Sequence, residues 1–223
     1  MKIITLRDAD YDATLTTQRE IFAEMVARKR RGEPAGDLER LFLVEHKPVY
    51  TLGLHAHRSN IIDLGLIESR GACVRETERG GDVTFHGPGQ LVAYPLVDFG
   101  ARGLGVKGYV DLLEEAVIRT ISAYGIKGER MEGATGVWVK GNEHRPDRKI
   151  CAIGIKCSRY AAMHGLALNV NTDLSWFGAI NPCGFTDKGV TSIALESGRD
   201  AVWEEAAQLL AAELTALLKK DYR

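Results

Sequence analysis

The hydrophobic positions of the chain recur with two different periods. From residue 13 to 30, Leu15, Phe22, Met25 and Val26 fall at helical spacing with charged residues opposite, and Gly32, Pro34 and Gly36 end the run. Residues 107–124 repeat the pattern more strongly, with Tyr109, Val110, Leu113, Val117, Ile121 and Tyr124 on one face and Gly125 as a stop. A last helix is expected over about 201–219, with Val202, Leu209, Leu210, Leu214 and Leu217 inward.

Between the helices the apolar runs are short. Residues 41–45 and 49–52 read as two strands around a turn at Pro48, followed by an exposed loop over 53–60. Strands are expected at 73–76 and 83–86, flanking Gly80-Gly81, and at 90–97, which is almost continuously apolar and therefore central. Residues 136–139 and 150–155 read as a pair around a polar turn, with one more strand at 166–170 and a looser stretch over 171–190. Strands that pair locally, with a few helices covering one side, make an α+β fold; no βαβα alternation points to a doubly wound nucleotide fold. One catalytic domain is expected, with a larger part over about residues 1–175 and a smaller one over about 176–223.

Composition narrows the function classes. The chain has 223 residues, a formal net charge of -1, 45% hydrophobic and 26% charged residues, as expected of a soluble globular protein. That balance gives no electrostatic case for nucleic acid. No apolar run reaches the roughly 18–20 residues that span a bilayer, and the opening residues do not read as a signal peptide, so no membrane association and a cytoplasmic location are expected. Cys73, Cys151, Cys157 and Cys183 form no CxxC, and His46, His55, His57, His86, His144 and His164 form no HExxH, so no metal is expected.

Three features carry candidate chemistry. Residues 79–90 read Arg-Gly-Gly-Asp-Val-Thr-Phe-His-Gly-Pro-Gly-Gln. Four glycines between two strands fit either a pair of tight turns with His86 as packing, or a backbone that lines a pocket and approaches a ligand closely. The P-loop pattern GxxxxGK[ST] is absent, and no helix follows. Cys183 stands between Pro182 and Gly184, which break regular structure, whereas Cys73, Cys151 and Cys157 lie in strand-like runs as small hydrophobes. It is an inert loop thiol or a nucleophile. A nucleophile needs a cation or base beside it, for which Lys149, His86 and His164 are candidates. Lys149 opens the apolar run 150–154, where its ammonium either snorkels to water or is partly desolvated and able to pass protons.

Together these segments resemble the octanoyltransferase (lipoyl(octanoyl) transferase) family. The matching stretches are PVYTLG at 48–53, RGGDVTFHGPGQLVAYPL at 79–96, KICAIG at 149–154, HGLALNV at 164–170 and NPCG at 181–184, in family order. Cys151 departs mildly, in a position where the family often has alanine.

The resemblance implies a biotin/lipoate protein ligase-like fold, of the class II aminoacyl-tRNA synthetase/biotin synthetase type, with a mixed or antiparallel sheet flanked by helices. It implies transfer of octanoyl from octanoyl-acyl carrier protein to a lysine of lipoyl domains, those of 2-oxoacid dehydrogenases and of the glycine cleavage H protein. No cofactor is implied, because the acyl group arrives on the carrier's phosphopantetheine. Cys183 matches the acyl-accepting nucleophile and Lys149 the lysine that lowers its pKa. Arg79, Gly80, Gly81, Asp82, Val83, Thr84, Phe85 and His86 match acyl-binding segments, as do Ala152, Ile153, Gly154, Gly165, Leu166 and Ala167, with His164 as a possible supporting residue. Val83, Phe85, Ile153 and Leu166 are expected as walls for the eight-carbon chain. Partners in such a pathway tend to be acidic, so a basic rim is expected, while the run Arg28–Arg31 reads as a solvated helix face. The rival classes are an ATP-dependent lipoate or biotin ligase, a cysteine hydrolase, and a non-catalytic module that binds acyl carrier protein or lipoyl domains.

Overall fold

A computed structural model describes residues 1–181 and 188–223. In chain order the described strands are β1 (Lys2–Ala9), β2 (Arg40–His46), β3 (Val49–Leu52), β4 (Cys73–Glu76), β5 (Val83–His86) and β6 (Gln90–Asp98), then β7 (Gly128–Met131), β8 (Ala134–Val139), β9 (Arg148–Ser158), β10 (Ala161–Asn169) and β11 (Gly189–Val190). The described helices are α1 (Tyr11–Arg30), α2 (Leu64–Ser69), α3 (Val106–Ser122), α4 (Ile193–Ser197) and α5 (Trp203–Leu218).

Eight strands form one mixed sheet in the order β1-β2-β6-β10-β9-β8-β7, with β11 added parallel to β9; β4-β3-β5 form a second, smaller sheet. The expected turn at Pro48 therefore does not close a hairpin. β2 pairs with β1 and β6, and after Lys47-Pro48 the chain enters β3, which pairs with β4 and β5. Likewise β4 and β5 do not pair with each other across Gly80-Gly81, but flank β3 on either side.

The large sheet is buried on both faces, which its sequence pattern explains. In β2 and β6, Leu41, Leu43, Leu91, Ala93 and Val97 face one core with α3 and α5, while Phe42, Val44, Val92, Tyr94 and Leu96 face another with α1. The strict alternation of strand side chains thus feeds two cores, and a run with both parities apolar must be covered twice. Helices lie on both sides, not one as expected. All nine residues of β6 are buried, in keeping with its central place. At roughly 1.5–3 kcal/mol per large apolar side chain buried, these two cores hold most of the favourable free energy.

Local signals account for the helices. Asp10 caps α1 by accepting from Ala13 N at 2.9 Å, and Leu15, Phe22, Met25 and Val26 are buried as their spacing predicts. Tyr109, Leu113, Val117 and Ile121 of α3 are fully buried, and α5 packs on α3 within the same core. Residues 203–218 therefore belong to the large core, and the smaller sheet is built from residues 49–86. The basic run is largely neutralised: Arg28 pairs with Asp37 and Glu24, Lys29 with Asp98, and Arg31 with Glu33. Cys151 is buried as expected, but Cys73 and Cys157 are exposed. Among the described residues, no helix is long and apolar enough to cross a membrane.

Candidate functional site

The small sheet closes over β9 and β10 and leaves a cavity of about 330 Å³, of the size small ligands occupy. Two glycine contacts set that closure. Gly80 N donates to Ile155 O at 2.9 Å, tying the segment before β5 to β9. A Cβ on Gly154 would lie 2.6 Å from Gly80 O and 3.3 Å from Arg79 Cδ, so the two layers meet at a point where neither residue has a side chain.

Most of the residues singled out in the sequence line this one cavity. Arg79, Gly81, Asp82, Val83, Thr84 and His86 come from the glycine-rich segment, Lys149, Ala152, Ile153 and Gly154 from β9, and His164, Gly165, Leu166 and Ala167 from β10. Two do not line it. Gly80 makes the tether just described. Phe85 points the other way along its strand, fully buried among Tyr50, Trp176 and Phe177, with its ring stacked on Trp176 at 4.9 Å. It is therefore core of the small sheet and lies off the cavity, not a wall for an acyl chain. Tyr11, Gln90, Val92, Tyr94 and Asn169 also line the cavity and were not singled out. Gln90 and Asn169 lay within the matching stretches; Tyr11, at the start of α1, carried no local signal.

A chain of hydrogen bonds fixes the wall. Arg79 is buried and donates from Nη2 to Thr51 O at 2.7 Å and Thr51 Oγ1 at 2.9 Å. His86 Nδ1 lies 2.8 Å from Gln90 Oε1, and Gln90 Nε2 donates to Asn169 Oδ1 at 2.9 Å and Phe85 O at 3.1 Å. Because Gln90 presents its oxygen, the proton of neutral His86 sits on Nδ1. Asn169 Nδ2 donates to Thr191 O at 3.0 Å, and Thr191 N donates to Lys149 O at 3.0 Å. The network therefore runs from the small sheet to the backbone of Lys149. Asp82 makes a second chain: it accepts from Asn60 Nδ2 at 2.6 Å, and Asn60 O accepts from Asn181 N at 2.8 Å.

Burial keeps the imidazoles and the Tyr11 phenol around the cavity uncharged. Burial pushes the imidazolium pKa of His86 down to about 3 and that of His164 down to about 4. The buried His46, ring to ring with His86 at 6.0 Å, falls to about 4 for the same reason. Burial also raises the Tyr11 phenol to about 12. All four are neutral at pH 7, so apolar atoms meet no ionised imidazole or phenolate there.

Lys149 stands at one end. Its Nζ lies 4.7 Å from the centroid of the Trp138 ring, a cation–π contact. It also lines a second cavity of about 300 Å³ with Trp138, Phe177, Asn181 and Lys188. Lys149, with Phe177 and Val190, is thus a shared wall of the two cavities. Cys183 lies outside the described residues; Asn181 and Lys188 are the described residues nearest to it on either side.

His164 is unusual on two counts. It has φ 59° within β10, the left-handed region that is uncommon for a residue other than glycine. It is also 1% exposed with no hydrogen-bond partner for Nε2 among the described residues. Each feature costs about 1–3 kcal/mol. Among the described residues, no group of three or more His, Cys, Asp or Glu side chains could hold a metal ion.

The architecture is shared with solved ligases. A lipoate-protein ligase A bound with ATP superposes with TM-score 0.68 at 17% identity, covering 100% of this chain and 87% of that one. A lipoate protein ligase from Thermoplasma acidophilum gives 0.69 at 17%, covering 100% and 86%, and a biotin protein ligase from Aquifex aeolicus 0.51 at 12%, covering 98% and 69%. The fold is that of the lipoate and biotin protein ligases. Residues 10–215 match the lipoyl protein ligase A/B catalytic domain, and the chain belongs to that family. It is 49% identical to an octanoyltransferase of Bacteroides fragilis, over 93% of each chain. It is 45% identical to the mitochondrial octanoyl-[acyl-carrier-protein]:protein N-octanoyltransferase of Xenopus tropicalis, over 87% of this chain and 77% of that protein. It is also 44% identical to an octanoyltransferase of Porphyromonas gingivalis, covering 95% of this chain but 42% of that longer protein.

Proposed function

We propose that this chain is an octanoyltransferase that moves an octanoyl group from octanoyl-acyl carrier protein to a lysine of a lipoyl domain, through a thioester on Cys183. The acceptors are the lipoyl domains of 2-oxoacid dehydrogenases and the glycine cleavage H protein. The observation that carries this reading is the place of Lys149, where a largely apolar cavity lined by uncharged imidazoles meets a second cavity bordered by Asn181 and Lys188. Cys183 follows Asn181 by two residues, a chain reach of about 7 Å.

In this scheme the octanoyl tail lies along Val83, Ile153 and Leu166, and its thioester carbonyl lies at the Lys149 end. The Lys149 ammonium favours the Cys183 thiolate by charge proximity. The thiolate attacks the carbonyl, the carbon–sulfur bond to the phosphopantetheine breaks, and Lys149 gives a proton to the departing thiolate. The acceptor amine then attacks the acyl-enzyme, Lys149 takes the proton back, and Cys183 leaves as thiolate. Thiol-for-thiol exchange is close to thermoneutral and the final amide is more stable, so neither ATP nor a cofactor is needed.

The test is intact mass after incubation with octanoyl-acyl carrier protein alone. One added octanoyl group on the wild-type chain, absent in Cys183→Ser as a thioester, supports the scheme. Amide formation from free octanoate only with ATP would assign the chain to the ligases. Release of octanoate without acceptor would make it a hydrolase, and binding with neither adduct nor product would leave a binding module.

A further inference from the structure

We propose that Glu114 and Gly136 are positioning residues for Lys149: they hold a β-bulge that turns its side chain out of the core and toward the site. The inference rests on the octanoyl-transfer reading and deepens it, with two residues outside every segment that carried the family resemblance. In the β8–β9 pairing Val137 lies opposite Cys151 but Trp138 lies opposite Lys149. One step along β8 thus answers two along β9, and Ile150 is the extra residue. Ile150 and Cys151, neighbours in the chain, are both fully buried in the core under α3 and α5. Residues two apart on a regular strand share a face, so an unbroken β9 would send Lys149 into that core with Cys151. The bulge shifts the alternation by one residue. Lys149 emerges instead on the face of Trp138, which stands between the core residues Val137 and Val139, and it reaches the indole and both cavities.

Two contacts keep the bulge in place. Gly136, beside the register shift, has φ 121°, a conformation that a side chain would strain. A Cβ there would lie 2.5 Å from Cys151 O and 3.5 Å from Lys149 Cε, so the lysine stem passes along β8 where β8 has no side chain. The buried N–H of Gly136 donates to Glu114 Oε1 at 3.0 Å, and Arg130 Nε holds Glu114 Oε2 at 3.1 Å. Glu114, on α3 and only 6% exposed, thus supplies the acceptor that a buried backbone donor at an irregular point of the ladder requires. Without that carboxylate the Gly136 N–H loses its partner, and β9 is free to slip toward the regular register that buries Lys149.

The test is single-turnover acylation by octanoyl-acyl carrier protein in Glu114→Ala and Glu114→Gln, each alone and combined with Lys149→Ala. Glu114→Ala is expected to slow acylation by about 10- to 100-fold, the scale of an ångström's misplacement of a reacting group. Glu114→Gln keeps an oxygen that accepts from Gly136 and is expected to stay within about threefold of the wild type. In the Lys149→Ala background Glu114→Ala is expected to slow acylation no further, because it acts only through that lysine. A wild-type rate in Glu114→Ala overturns the proposal, as does an equal loss in Glu114→Gln. So does a loss repeated in full in the Lys149→Ala background, which would make Glu114 a general support of the fold. If Glu114→Ala does not fold, Glu114→Asp, one methylene shorter, takes its place in both comparisons. Failure of the wild type to take octanoyl from its carrier would instead remove the underlying reading.

Discussion

Trp138 and Lys149 are register partners across the β8–β9 seam, and the indole ring lies 4.7 Å from the lysine Nζ. The ring is itself held, with Nε1 donating to Ala134 O at 2.9 Å. A cation over an indole is favoured by about 0.5–2 kcal/mol, depending on solvent access. Trp138→Leu should therefore slow transfer by about 2- to 30-fold and shift the alkaline limb of the rate profile to lower pH, because the ammonium form of Lys149 loses support. Trp138→Phe should recover part of both effects. Steady-state rates from pH 6 to 10 read this directly, and a loss of rate without a shift of the limb would leave Trp138 a packing residue only.

Lys149→Ala should reduce transfer by about 10²-fold or more, the usual contribution of a positioned proton donor, with thermal unfolding nearly unchanged since the side chain is partly exposed at a strand end. Single-turnover acylation by octanoyl-acyl carrier protein is the measurement. Full activity would remove Lys149 from the chemistry.

The buried imidazoles predict acid sensitivity. His46, His86 and His164 are neutral when folded, with pKa values pushed below 6.5 to about 4, 3 and 4 by burial. Once unfolded, each binds a proton near pH 6.5. The unfolded chain therefore holds more protons below that pH, and stability falls as pH drops from about 6.5 toward 4. One such histidine contributes on the order of 3 kcal/mol across the full window. The carboxylate of Glu78, held at about 2 by Arg19, is still ionised over most of that window. Urea midpoints should hold from pH 8 to about 6.5 and fall from there to about pH 5, and His46→Gln, which cannot ionise, should flatten part of the slope. A flat profile in the wild type would contradict the buried neutral state.

Gly165→Ala should destabilise the whole chain. A Cβ there would overlap Ala93 O of β6 and lie 2.8 Å from Pro95 Cδ, in the most central seam of the sheet. Overpacking of this kind costs about 1–3 kcal/mol, and here the obstacle is backbone, which cannot turn aside. Gly178→Ala, with open space around it, is the control and should melt as the wild type does.

Much of the site could be read from the chain because its residues come in contiguous blocks. Residues 79–86, 149–154 and 164–167 each supply several walls, and a strand carries its neighbours with it. Phe85 was misplaced because its ring packs on Tyr50, Trp176 and Phe177, contacts far away in the chain. Tyr11 was missed because its place depends on how α1 docks on the sheet, a contact far away in the chain. The strand β1 was missed for a different reason: it is an edge strand with mostly exposed or half-exposed positions, so its apolar pattern is weak. The two-sheet arrangement was hidden by Pro48, which marks a break but not where the chain goes next.

The contact of Gly154 with Gly80 gives the cavity a consequence beyond shape. Its bore is gauged by a hydrogen atom: one methyl group on Gly154 would act as a wedge, prising the small sheet off β9. The same wedge would strain the Asp82–Asn60–Asn181 linkage that ends two residues before the thiol. How wide the cavity opens and where Asn181 is held are then one mechanical quantity, and neither can drift alone.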